Sequence, residues 1–165
     1  MKFATIDDSA DGHLGVLNGS DEILDLVLLR EVVPRASLVP RTLRSLLDAG
    51  EDAIELVRRC IGDADSLSAG GRERLAETGT LGPFASTPLL AAVPNPRMIL
   101  SVGMNYGRHL AEMKGTPTPK HPTAFIKVAE SLTGSGKPIV VPPQCPDMID
   151  FEGEFCFVIG RACHD

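Results

Sequence analysis

Eleven of the 13 prolines in this 165-residue chain lie after residue 82, and that asymmetry limits what the second half can become. Proline fixes φ, donates no backbone hydrogen bond and clashes inside a helix, so long helices and central strands exclude it. Short strands and shaped loops are therefore expected beyond residue 82, with Pro94-Asn95-Pro96 as an extended connector and natural boundary. The earlier stretch reads differently. Residues 3–6, 13–17 and 22–26 are strand-like runs separated by the polar stretch 7–12 and by Asn18-Gly19, which predicts a three-strand meander. Pro40, placed in a first turn, then Leu43, Leu46 and Leu47 with Gly50 as a stop, predict one helix. Ala53, Ile54, Leu56, Val57, Cys60 and Ile61 predict a second, ended by Gly62. A short polar helix over 72–77 should follow Gly70-Gly71 and end near Gly79.

Composition narrows the function classes. Apolar residues at 43% and charged residues at 23% exclude wholesale disorder and fibrous repeats. No apolar run nears the roughly 18–20 residues of a membrane-spanning helix, and the N-terminus turns acidic before a signal-peptide core could form. A cytoplasmic protein without a membrane partner is expected. Net charge −6 argues against nucleic acid, whose backbone is held by clustered Lys and Arg. Residues 1–92 hold 15 acids against 9 bases, while 93–165 hold 7 of each, so the acidic excess is a solvated surface of the first region. Cys60, Cys145, Cys156 and Cys163 show no CxxC spacing and read as reduced thiols; Cys163-His164 lacks the companions of a tetrahedral zinc site.

Three segments could carry chemistry. In residues 150–160 a strand would place Asp150, Glu152 and Glu154 on one face, with an apolar run over 155–159 leading into a core. Clustered carboxylates suit Mg²⁺, Mn²⁺ or Ca²⁺; a solvated acidic edge strand is the plainer alternative. In residues 103–115 a strand ends at Gly103, Asn105 can cap a short helix over about 106–113, and Gly115 can end it. His109 and Glu112, three apart, then share a face, as a general base with its orienting carboxylate would, or as a chance surface pair would. In residues 122–139 one strand ends at Lys127, Gly134-Ser135-Gly136 forms a turn, and another strand begins near Pro138. That turn lacks the Lys-Ser/Thr ending of a phosphate loop and the third glycine of a dinucleotide fingerprint. Lys127 faces either a site or solvent.

Taken in order, residues 99–112 with Val102-Gly103-Met104-Asn105-Tyr106, His109 and Glu112, residues 122–127 with the glycine-rich turn, and residues 150–160 with Glu152-Gly153-Glu154 resemble the fumarylacetoacetate hydrolase family. The resemblance implies an α+β fold: a small N-terminal α/β region, the variable domain of residues 1–92, followed by part of a mixed β-roll of the fumarylacetoacetase type over 96–165. It implies that Glu152 and Glu154 ligate Mg²⁺ or Mn²⁺, with Ca²⁺ admissible, and that His109 and Glu112 activate water or shuttle a proton; Lys127 stands as a further catalytic candidate. It implies a metal-dependent hydrolase cleaving a carbon–carbon bond of a small 1,3-dicarbonyl or acylpyruvate-type acid, as in aromatic catabolism, and a homodimer if the domain is complete. A 2-oxo acid decarboxylase or isomerase is the alternative within the family. The family's later aspartate ligand, site lysine and Gly-Thr-Pro loop have no counterpart in the sequence, so a truncated non-catalytic fragment or interaction module is the other alternative.

Overall fold

Left-handed glycines at Gly12 (φ 59°) and Gly19 (φ 72°) allow the two reversals that the alternating apolar runs require. In this computed structural model, which describes residues 1–113, 115 and 117–160, the runs form the expected meander: β1 (Phe3–Ile6), β2 (His13–Asn18) and β3 (Glu22–Asp25). All pair antiparallel, with Phe3 opposite Val16 and Val16 opposite Leu24. A fourth strand, β4 (Leu81–Pro83), joins β3 with Leu24 opposite Leu81, giving the order β1-β2-β3-β4. The outer edge of β1 is covered by residues 88–92: Asp7 N–H donates to the Pro88 carbonyl at 3.0 Å and Leu90 N–H to that of Thr5 at 2.9 Å.

The sheet buries Leu14, Val16 and Leu24 against two helices. In α1 (Leu43–Ala49), Thr42 closes the N-terminus by accepting from the Ser45 N–H, while the Ser45 hydroxyl accepts from the Thr42 N–H. Pro40 therefore precedes the cap instead of lying in the first turn. The helix α2 (Glu51–Asp65) buries Ala53, Val57, Cys60 and Ala64, a stripe at helical spacing, and runs through Gly62 instead of stopping there. A helical glycine costs about 1 kcal/mol against alanine. Ala64 continues the buried stripe, and the Ser66 N–H and hydroxyl close the end on the Gly62 carbonyl. Ser68 caps α3 (Ala69–Glu77) by accepting from the Gly71 N–H, so Gly70 and Gly71 lie inside its first turn.

The chain divides into two compact units, one formed by Met1–Pro94 with the stretch from Thr133 on, the other by Asn95–Leu132. In the second, β5 (Ile99–Gly103) and β6 (Thr123–Lys127) pair antiparallel, Ile99 opposite Lys127, and the short α4 (Gly107–Glu112) lies between them in sequence. In the first, Gly134-Ser135-Gly136 is a turn, closed by the Lys137 N–H on the Gly134 carbonyl at 3.2 Å with Gly136 at φ 74°.

Two expected strands do not form. Residues 138–160 contain no strand near Pro138 and none over 150–160, and Phe155, Phe157, Val158 and Ile159 are exposed where a core-bound run was expected. A strand is held by a ladder partner, and among the described residues no segment pairs with this one. Phe155 and Phe157 pack edge to face on each other instead, ring centroids 4.9 Å apart. The architecture is α+β with antiparallel sheets. Cys163 and His164 lie outside the described residues.

Candidate functional site

The strand β5 ends at Gly103, and Met104 then takes a left-handed backbone, φ 56°, that turns the chain towards α4. The helix starts later than the Asn105 cap expected from sequence: Tyr106 occupies the cap position with no side-chain capping bond to the helix N-terminus, and its carbonyl accepts from the Leu110 N–H at 3.0 Å. His109 and Glu112 are both exposed on this helix. Their spacing of three puts them on one side of the turn, yet no hydrogen bond or ion pair joins them among the described residues. Lys127 is the last residue of β6. Its ammonium lies 5.7 Å from the Phe125 ring centroid, two residues back on the same face.

His109, Glu112 and Lys127 thus all belong to the Asn95–Leu132 unit. Glu152 and Glu154 belong to the other, exposed and outside any helix or strand. Asp150 turns its carboxylate back to accept from the Phe151 N–H at 2.8 Å. The two glutamates offer the hard oxygen donors that Mg²⁺ and Mn²⁺ prefer, so their chemistry fits a divalent cation. Their number does not complete a shell, and among the described residues no three His, Cys, Asp or Glu side chains gather to hold a metal.

The strongest electrostatic cluster is one that sequence patterning missed. His13, only 6% exposed, has Nε2 at 2.6 Å from Asp25 Oδ2 and Nδ1 at 2.8 Å from Asp8 Oδ2. The first contact is a hydrogen bond; the second is an ion pair off the hydrogen-bonding direction. Asp25 Oδ1 accepts from the Val27 and Leu28 N–H groups, and Arg41 donates to Asp8 at 2.5 Å. The bond to Asp25 raises the His13 pKa against the opposing effect of burial, and the charges of Asp25 and Asp8 add to the rise. Burial pushes the Asp8 carboxyl up, but the Ser9 hydroxyl, His13 and Arg41 outweigh it and hold it below its ordinary value. An imidazole so enclosed has no face for a substrate, and its work is structural. The available signal was a histidine opening a strand next to Asp7-Asp8, with Asp25 at the end of the neighbouring strand. Cys60 is also fully buried, and burial raises its thiol pKa.

Residues 98–165 match the family model described as fumarylacetoacetate (FAA) hydrolase C-terminal. The chain is 30% identical over 153 residues to the oxaloacetate tautomerase FAHD2A, mitochondrial, of Bos taurus, covering 92% of this chain and 42% of that protein. It is 32% identical over 123 residues to the human oxaloacetate tautomerase FAHD2A, mitochondrial, covering 74% and 34%. It is 41% identical over 88 residues to protein Rv2993c of Mycobacterium tuberculosis, covering 53% and 32%. The chain belongs to the fumarylacetoacetate hydrolase family, and it spans about two fifths or less of the length of these relatives. No helix among the described residues is long and apolar enough to cross a membrane.

Proposed function

We propose that the chain contributes the first part of a divalent-metal site that interconverts the keto and enol forms of a small 2-oxo acid, oxaloacetate or a close analogue. The observation that carries this reading is the similarity, over 92% of the chain, to a protein named oxaloacetate tautomerase. Glu152 and Glu154 would hold Mg²⁺ or Mn²⁺, with Ca²⁺ admissible, and the remaining ligands come from elsewhere in the whole protein. When bound, such a cation supplies Lewis acidity at the carbonyl and carboxylate oxygens of the substrate. His109 takes a proton from the carbon beside the carbonyl and, as imidazolium, gives one to the carbonyl oxygen; the reverse direction moves the proton back to carbon. Glu112, on the same side of α4, orients the imidazole and supports its positive charge. Lys127, at the end of β6, pairs with a substrate carboxylate.

The family description keeps a second reading in play. Hydrolysis of a carbon–carbon bond in a 1,3-dicarbonyl or acylpyruvate-type acid would use the same residues, with His109 activating water. Residues 96–165 are proposed as part of a β-roll that further strands complete and that dimerises; exposed Phe125 and Ile126 on β6 and exposed Phe155 to Ile159 support this. The free thiols of Cys60, Cys145 and Cys156 suit a reducing compartment, cytoplasmic as expected from sequence or mitochondrial as the relatives' names state.

The reactions separate in one experiment on residues 1–165 continued by the C-terminal remainder of the mycobacterial relative. Oxaloacetate in D₂O with Mg²⁺ is followed by proton NMR. Tautomerisation accelerates loss of the methylene signal without a new product, hydrolysis gives acetate and oxalate, and decarboxylation gives pyruvate. Methylene exchange no faster than with Mg²⁺ alone contradicts the tautomerase reading.

A further inference from the structure

The chain leaves its first unit after Pro94 and returns to it at Thr133, having traversed the stretch that carries His109, Glu112 and Lys127. We infer that Gly134 and Lys137 are positioning residues: with Asp7 and Leu89 they clamp the returning connection beside the outgoing one. The inference rests on the proposed function for what is being positioned.

Gly134 is buried, and a Cβ there would overlap the Leu89 carbonyl oxygen and lie 3.2 Å from the Leu90 Cα. Only a glycine lets these backbones meet without a shift, so the outgoing and returning segments touch main chain to main chain. The outgoing segment is itself fixed. Leu89 bridges Ile6, the Leu90 N–H donates to the Thr5 carbonyl at 2.9 Å, and the Thr5 hydroxyl donates to the Ala92 carbonyl at 2.6 Å. Asp7 joins both sides of the clamp. Its N–H donates to the Pro88 carbonyl at 3.0 Å, while its carboxylate lies 2.6 Å from the Lys137 ammonium. The turn that presents Lys137 is closed by its own N–H on the Gly134 carbonyl. A wandering return segment would give the stretch between Pro94 and Thr133 one fixed connection instead of two. A pinned one holds both ends of the stretch that carries His109.

The test uses the 165-residue chain with two readouts. Amide hydrogen exchange at Lys137 should rise about fivefold in Lys137→Gln and in Asp7→Asn, as loss of a half-exposed ion pair allows. Lys137→Arg and the exchanged pair Asp7→Lys with Lys137→Asp should restore it. Gly134→Ala should raise exchange at both Lys137 and Leu90. With manganese chloride added, paramagnetic broadening of the His109 ring protons should weaken in Lys137→Gln and return in Lys137→Arg, at unchanged Mn²⁺ affinity. Unchanged exchange in Lys137→Gln refutes the clamp, and raised exchange with unchanged broadening refutes the positioning role. Absence of broadening in the parent chain instead removes the proposed site, and the positioning role with it.

Discussion

Replacing His13 by leucine should destabilise the N-terminal sheet by about 3 kcal/mol, the low end of the cost of removing one partner from a buried ion pair. The low end applies because Asp25, left behind at 6% exposure, keeps its bonds from the Val27 and Leu28 N–H groups. Asp8 adds little to the loss, being partly exposed and still paired with Arg41. With a urea slope of about 2 kcal/mol/M, the unfolding midpoint should fall by about 1.5 M. The loss should also depend on pH. His13 titrates higher in the folded protein than in the unfolded chain, so its contribution is complete below about pH 6.5 and is lost as pH rises through the folded value. Each unit of rise between those values removes at most about 1.4 kcal/mol. Asp8 runs the other way: its pKa is lowered, so its contribution is present above the ordinary value of 3.8 and is lost as pH falls through the folded value. Urea midpoints of parent and His13→Leu, followed by circular dichroism from pH 5 to 9, check the size of the loss and its alkaline decline. A variant within about 0.5 kcal/mol of the parent, or one that keeps the parent's alkaline decline, would show that the His13–Asp25 pair does not stabilise the fold.

Thr42→Ala should cost about 1 kcal/mol, the worth of an N-cap, because it breaks the reciprocal bonds with Ser45; thermal melts measure it. Mn²⁺ should bind the 165-residue chain weakly and lose that binding in Glu152→Gln/Glu154→Gln, as titration calorimetry would show; equal affinity would remove those glutamates from the site. In the polypeptide continued by the mycobacterial remainder, His109→Ala should lower kcat by about 10²–10⁴-fold with KM little changed, because its role is proton transfer. Steady-state kinetics on oxaloacetate decides, and a KM effect alone would make His109 a binding residue.

The parts of the fold legible in sequence are those in which local pattern and tertiary packing agree. The meander follows from alternating runs and from Gly12 and Gly19 at left-handed turns, and α1 from leucine spacing ending at Gly50. Gly62 was misleading because a stop signal of about 1 kcal/mol yields to a helix whose buried stripe continues to Ala64. Asn105 was a plausible cap by residue type, but the left-handed Met104 shifts the helix start by one residue. Alternation in residues 150–160 describes what a strand would do with its side chains; it supplies no partner, and the backbone there stays outside any ladder. The His13 cluster was invisible to periodicity because its members come from a turn, two strands and a loop that meet only after folding.

Glu152, Glu154, His109 and Glu112 are proposed to serve one site. Paramagnetic relaxation by Mn²⁺ measures it, since broadening falls with the sixth power of distance. If one site joins them, adding Mn²⁺ to the 165-residue chain broadens the His109 ring protons, and Glu152→Gln/Glu154→Gln abolishes the effect. Sharp His109 signals at Mn²⁺ concentrations that saturate the glutamates would contradict it.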